Sequence, residues 1–167
     1  MKNKLKIYTD GACSTELRLG GWAVVYKFEN EDVFYETGHA TNTTNNQMEL
    51  YAFYKALKFI YNSVSNCEIE IYSDSAYVVN AVKLGWLKKW SKNGWMLSSG
   101  DGKIKNVKLW KVILNILSYL EEYCIDYGCM SLKIEKVKGH NGDELNEMAD
   151  KFATSEVKKL KAKKMSK

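Results

Sequence analysis

The sequence predicts an α/β fold in which a mixed sheet carries helices on both faces. Three observations point there. Stretches of strand character open the chain and recur later. Segments with apolar residues at three- and four-residue spacing separate the later strands. A strand, helix, strand succession follows an initial hairpin, which calls for parallel pairs beside antiparallel ones.

Taken in order, "KLKIYTD" is rich in β-branched and aromatic residues and is predicted as a strand stopped by Gly11. "GGWAVVYKFEN" and "DVFYETGHAT" read as two further strands joined by a turn at Glu29 to Asp32, completing an antiparallel meander. "NNQMELYAFYKALKFIY" is predicted as a helix with Asn45 or Asn46 as its N-cap. "CEIEIYSD" alternates as a half-buried strand should. "SAYVVNAVKLG" fits a short helix entered through Ser75 and closed by Gly85. "WLKKWSKNGWM" is basic and aromatic, a short helix plus loop. Val107, Trp110, Ile113, Leu114, Leu117 and Leu120 make the stripe of an amphipathic helix. "MSLKIEKVKG" is a final strand and "GDELNEMADKFATSEVKKL" a last helix. The predicted order is β-β-β-α-β-α-α-α-β-α. With no repeat and no linker in view, one folded unit over residues 1–157 is expected, followed by a basic, flexible tail over 158–167.

Composition narrows the class. The chain has 167 residues, 46% hydrophobic and 27% charged, which fits a soluble globular protein. No apolar run is long enough to cross a bilayer, and "MKNKLKIYTDG" lacks the apolar stretch of a signal peptide, so a cytoplasmic location is the expectation. Four cysteines without a CxxC pair, and only two histidines, argue against a zinc site and for reduced thiols. The net charge of +5 is unevenly placed, with lysines crowding Lys83 to Lys111 and Lys158 to Lys167. That distribution suggests a polyanion, nucleic acid first, although a merely solvated surface explains the charge equally well.

The acids are more telling. Lys6, Tyr8 and Asp10 share one face of the first strand; Glu70, Tyr72 and Asp74 share one face of the fourth. Each strand thus delivers an aspartate at its carboxyl end, where ligand sites of open α/β sheets gather. If the two strands are parallel neighbours, Asp10 and Asp74 lie side by side. Glu49 sits on the inward stripe of its helix with Ala52, Phe53, Ala56 and Ile60, an expensive place for a charge without compensation. Three acids converging without histidine or cysteine describe a site for a hard cation, Mg²⁺ or Mn²⁺. Blander roles remain open: an aspartate after a strand also serves as turn former or N-cap, and Asn46 to Glu49 has capping-box spacing.

"IYTDGAC", "TTNNQMEL", "IYSDSAYV", "KGHNG" and "NEMADKFA" together resemble the type I ribonuclease H family in order and approximate spacing, from about Lys4 to Ser155. The resemblance implies a mixed five-stranded sheet carrying four acids that bind two Mg²⁺ ions, with Mn²⁺ as a substitute. The matching acids are Asp10, Glu49, Asp74 and Asp150; by position alone Asp150 would be a solvated surface acid. It implies hydrolysis of the RNA strand of RNA–DNA hybrids, leaving 5′-phosphate and 3′-hydroxyl ends. His140 matches a histidine on a flexible loop flanked here by Gly139 and Gly142, and Asn146 matches an asparagine supporting the metal ligands. Substrate contacts are implied at Cys13, Thr44, Asn45 and Asn46, and on the basic "GWLKKWSKNGW" protrusion at Lys88, Lys89 and Lys92. Trp110 matches an aromatic that supports the DNA-side channel, counted among the substrate-binding residues, while Trp86, Trp90 and Trp95 are read as packing. The chain departs from the family at "STELRL", bulkier and more charged than the usual loop, and at Ala76, where many relatives carry an amide. The implied partner is the hybrid duplex, with no membrane or obligatory protein partner, and a monomer is expected. The competing readings are another nuclease of the same superfold, resolvase-like, and a hybrid-binding module without catalysis.

Overall fold

The computed structural model describes residues 2–97, 99–100, 102–137 and 143–167. Its strands are β1 (Asn3–Ser14), β2 (Leu19–Phe28), β3 (Phe34–Thr41), β4 (Cys67–Ser73) and β5 (Met130–Lys136). Its helices are α1 (Asn45–Ser63), α2 (Ala76–Lys83), α3 (Trp86–Lys92), α4 (Val107–Leu120) and α5 (Glu144–Met165), with a π-helical turn at Glu121–Ile125 extending α4. The strands form one sheet in the order β3-β2-β1-β4-β5. The first three are antiparallel neighbours, whereas β1–β4 and β4–β5 are parallel. The predicted class and element order are therefore found.

Alternation along the strands divides the interior into two layers. Leu5 and Ile7 of β1, Val24 and Tyr26 of β2, and Ile69 and Ile71 of β4 point to the face covered by α1 and α4. There they pack on Leu50, Phe53, Leu57 and Ile113, all sealed from solvent. Tyr8 and Val25 take the opposite face, with Val137 and Ala149 of α5. That second layer is thin because α5 lies almost on the backbone of β2. A Cβ added at Gly21 would stand 2.2 Å from the carbonyl oxygen of Ala153, so only glycine fits.

Three local expectations are corrected. β1 does not stop at Gly11 but runs on to Ser14; Gly11 pairs with Trp22, and the chain reverses at residues 15–18, where Arg18 takes a left-handed conformation (φ 53°) and its amide bonds the Ser14 carbonyl at 2.7 Å. The N-cap of α1 is Thr44, not Asn45 or Asn46. Its hydroxyl accepts from the Gln47 amide while the Gln47 side chain accepts from the Thr44 amide, so the capping box is Thr44–Gln47 and Glu49 has no part in it. The segment 158–167, expected as a flexible tail, continues α5 to Met165. Lysine, alanine and leucine are good helix formers, and Leu160 is half-buried rather than loose.

Trp110 is completely buried, so it can support a channel from within but cannot touch a substrate directly. Its indole Nε1 donates to the Tyr77 hydroxyl at 2.9 Å, to which Asn106 also donates at 3.2 Å. Trp110 thereby fastens α4 to α2, with Trp90 of α3 packed edge-on against it at 5.5 Å. Tyr77→Phe would leave the buried indole N–H without its acceptor, at a cost of about 1–3 kcal/mol. A melting temperature lower by a few degrees is expected; an unchanged one would show that the bond contributes nothing to stability.

Candidate active site

The parallel pairing of β1 and β4 sets Thr9 opposite Ser73, so the next residues, Asp10 and Asp74, leave the two strands at the same level. One step back on the same face, Tyr8 and Tyr72 stack at 4.9 Å and form a floor beneath the two aspartates. The Tyr8 hydroxyl donates to Asp143 at 2.7 Å. Asp143 in turn caps α5 by accepting from the Leu145 and Asn146 amides. The strand that carries Asp10 is thus tied to the start of the helix that carries Asp150.

Glu49 arrives from the other side of the sheet. The first turns of α1 press directly onto Gly11, where an added Cβ would lie 2.3 Å from the Glu49 nitrogen. The missing side chain lets a helix backbone rest on a strand backbone, and this brings the Glu49 carboxylate over the strand end. Asp10, Glu49 and Asp74 each offer a carboxylate oxygen, all within 4.8 Å of one another. Asp10 and Glu49 are buried while Asp74 is open to solvent.

Burial pushes the Glu49 carboxyl well above its ordinary range, and the facing carboxyls of Asp10 and Asp74 push it further. Burial likewise raises Asp10, with Asp74 and Asp150 adding to the shift and Glu49 opposing it by hydrogen bonding. Without a cation the pair therefore retains a proton at neutral pH. Glu49 Oε2 is buried with no hydrogen-bond donor among the described residues, a cost with no structural return inside the bare protein. An all-oxygen donor set, one solvent-facing member and an orphaned carboxylate oxygen fit a hard divalent cation well. They do not fit a soft metal, because no sulfur or imidazole belongs to the group among the described residues.

Asp150 is exposed on α5 and close enough to act on Asp10, but it stands outside the 4.8 Å group. Asn146 is buried one turn earlier on α5. His140, with Gly139 and Gly142, lies outside the described residues.

Around the acids, Asn45 and Asn46 are exposed at the start of α1, three to four residues before Glu49. Thr44 is exposed too, but its hydroxyl is engaged as the helix cap. Cys13 is half-buried, its thiol directed at the Thr43 carbonyl at 3.5 Å, so it joins the end of β1 to the approach to α1. On α3, Lys88 pairs with Glu121 at 3.6 Å, whereas Lys89 and Lys92 are exposed with no ion pair among the described residues. The helix packs on α2 and α4 rather than on the sheet, with Trp86 and Trp90 in mutual contact. Sequence reasoning missed Tyr8, Tyr72 and Asp143. Asp143 carried a usable signal, a capping residue just before an acidic first turn; the tyrosines carried none beyond their strand face.

The pattern that defines the RNase H family matches residues 2–158. Ribonuclease H of Prosthecochloris aestuarii is 39% identical over 160 residues, covering 95% of this chain and 98% of that one. Ribonuclease H of Acetivibrio thermocellus is 41% identical over 156 residues, covering 93% and 96%. Among solved structures, the PFV RNase H domain superposes with a TM-score of 0.74 at 22% identity, covering 94% of this chain and 96% of that one. LC9-RNase H1, described as a type 1 RNase H with the type 2 active-site motif, gives 0.71. A match over nearly the whole length, in sequence and in fold, means that this chain belongs to the ribonuclease H family of enzymes.

Proposed function

We propose that the protein cuts the RNA strand of RNA–DNA hybrids, using two divalent ions, Mg²⁺ in the first place, held by Asp10, Glu49, Asp74 and Asp150. The observation that carries the metal-dependent chemistry is the acidic group itself, with its buried, unpartnered Glu49 Oε2. Such ions, when bound, stabilise the charge that builds on a phosphate and its leaving oxygen and make water acidic enough to attack at neutral pH. Products with 5′-phosphate and 3′-hydroxyl ends follow from attack that displaces the 3′ oxygen.

The chain's own residues divide the remaining work. Asp10 and Glu49 give up their shared proton when cations bind, so metal affinity rises with pH. The Tyr8–Asp143 bond holds β1 and α5 in register, which keeps Asp150 at the edge of the site. Exposed Asn45 and Asn46 offer short amide groups suited to the shallow minor groove of a hybrid and its 2′-hydroxyls. Lys89 and Lys92, free of ion pairs among the described residues, suit phosphates on the far side of the duplex.

A cleavage assay on labelled RNA–DNA, RNA–RNA and DNA–DNA duplexes, with and without Mg²⁺, tests the reading. Cutting confined to the RNA of the hybrid, dependent on metal and lost in Asp10→Asn, is expected. Binding of the hybrid without cutting in Mg²⁺ or Mn²⁺ would make this a binding module; cutting of plain DNA would keep the metal site and end the substrate assignment.

A further inference from the structure

The surface holds a second cationic feature outside the acidic cleft. Between the β1–β2 turn and the last turns of α5 lies an open groove of about 530 Å³, walled by Leu17 and Arg18 on one side and by Leu160, Lys163, Lys164 and Lys167 on the other. Leu160, Lys163 and Lys164 of α5 fall at positions i, i+3 and i+4, which is one stripe of a helix, and Lys167 follows just past the Ser166 C-cap. This stripe faces the groove, and the wall it forms lies past residue 158, where the family pattern ends.

Arg18, Lys163, Lys164 and Lys167 make no ion pair among the described residues, in contrast to Lys159 of the same helix, which is spent on Glu156 at 3.2 Å. The groove floor is apolar enough to carry the lysine stems, with Leu17, Leu19 and Leu160 beneath them. A groove edged by four unpaired cations is a place for a polyanion.

Its position says which one. Thr41 and Asn42 close the groove at the end of β3, and the chain passes directly from them through Thr43 and Thr44 to the exposed amides of Asn45 and Asn46. On the β1–β2 wall, the Arg18 guanidinium is near enough to pull on the Cys13 thiol, which burial pushes up. The β1–β2 wall and the closed end of the groove are therefore continuous with residues of the candidate substrate cleft.

We propose that this groove between the β1–β2 turn and the end of α5 binds the phosphate backbone of duplex nucleic acid where it runs on beyond the acidic cleft, extending the grip of the enzyme. The inference rests on the reading of the cleft as a duplex-binding site. Phosphate contact there is sequence-independent and set by counterion release, so it adds affinity and salt sensitivity rather than specificity.

The test compares two double variants of the full chain that remove the same charge from the C-terminal segment of the chain. Lys163→Gln/Lys167→Gln empties the stripe; Lys158→Gln/Lys161→Gln removes lysines that do not line the groove. Binding of an RNA–DNA hybrid is followed by fluorescence anisotropy without divalent metal across a salt series, with retained helix content and melting temperature verifying the folds. The stripe variant is expected to bind several-fold more weakly and to lose roughly one unit of salt slope per phosphate contact removed. The other pair is expected to bind as the parent does. Equal losses from both pairs would reduce the effect to bulk charge and overturn the groove, as would no loss from either. Cleavage of the hybrid by the parent, run alongside, separates the two readings. Intact cleavage with an inert stripe leaves the enzyme and removes the groove; a stripe effect on duplex binding without cleavage removes the activity and leaves the groove.

Discussion

Glu49→Gln is expected to make the metal-free protein more stable while removing its activity. Glu49 is buried on the apolar side of α1, faces Asp10 and Asp74, and leaves one oxygen without a donor. A carboxyl with a higher pKa in the folded than in the unfolded chain holds its proton more tightly when folded. Its penalty is absent while both states are protonated and grows as pH climbs above the ordinary carboxylate range, about pH 4. It is complete once the folded group has ionised as well. Burial and the facing acids raise Glu49 and Asp10 in this way, so the bare protein loses stability as pH rises. The neutral amide removes much of that penalty and donates to Asp10. A gain on the order of 1–3 kcal/mol at neutral pH follows, or several degrees of melting temperature for a chain of this size. The gain should shrink toward acid pH. If the acidic group holds the ions as proposed, loss of this carboxylate should lower cleavage more than about a hundredfold. Thermal melts from acid to neutral pH, beside the hybrid assay, decide it. A destabilised variant at neutral pH would mean that the bare fold satisfies Glu49, and the metal reading would lose its main support.

Gly11→Ala is expected to damage fold and site together. The added methyl would lie 2.3 Å from the Glu49 nitrogen and 2.5 Å from the Met48 carbonyl carbon, both of them backbone atoms that cannot rotate aside. Either α1 lifts from β1 or the strand end bends. Relief of such overpacking costs about 1–3 kcal/mol and more where backbone must move. The same shift carries Glu49 away from Asp10, and an ångström of misplacement at a reacting centre can cost a hundredfold in rate. The expected result is a lower melting temperature together with a fall in kcat of about that size. Normal activity in a destabilised variant would show that the cleft tolerates a displaced α1.

These two residues also mark how much was legible in the sequence. Glu49 stood out because a charge on an apolar stripe contradicts the helical pattern around it. Gly11 also drew attention, but was read as a strand terminator. Its actual use, letting two backbones approach, concerns a helix that begins more than thirty residues later. Asp150 offered no such contradiction, because an exposed acid on a helix violates nothing; only the family motif singled it out. Trp110 was ambiguous for a different reason. An aromatic on an amphipathic stripe can line a cleft or fill a core, and its hydrogen bond to Tyr77 puts it in the core.

By itself the sequence determined the class of fold, the order of strands and helices, and the acids worth watching. Periodicity, turn residues and misplaced charges are local signals, written into neighbouring positions. What only the tertiary structure decided is what meets across the sheet: that Glu49 reaches Asp10 over Gly11, that Tyr8 anchors α5 through Asp143, and that the last turns of α5 face Arg18. Those meetings depend on which strands pair and on how closely helices press against them. Distances across the sheet are set by packing between segments far apart in the chain, and no pattern within one segment carries that information.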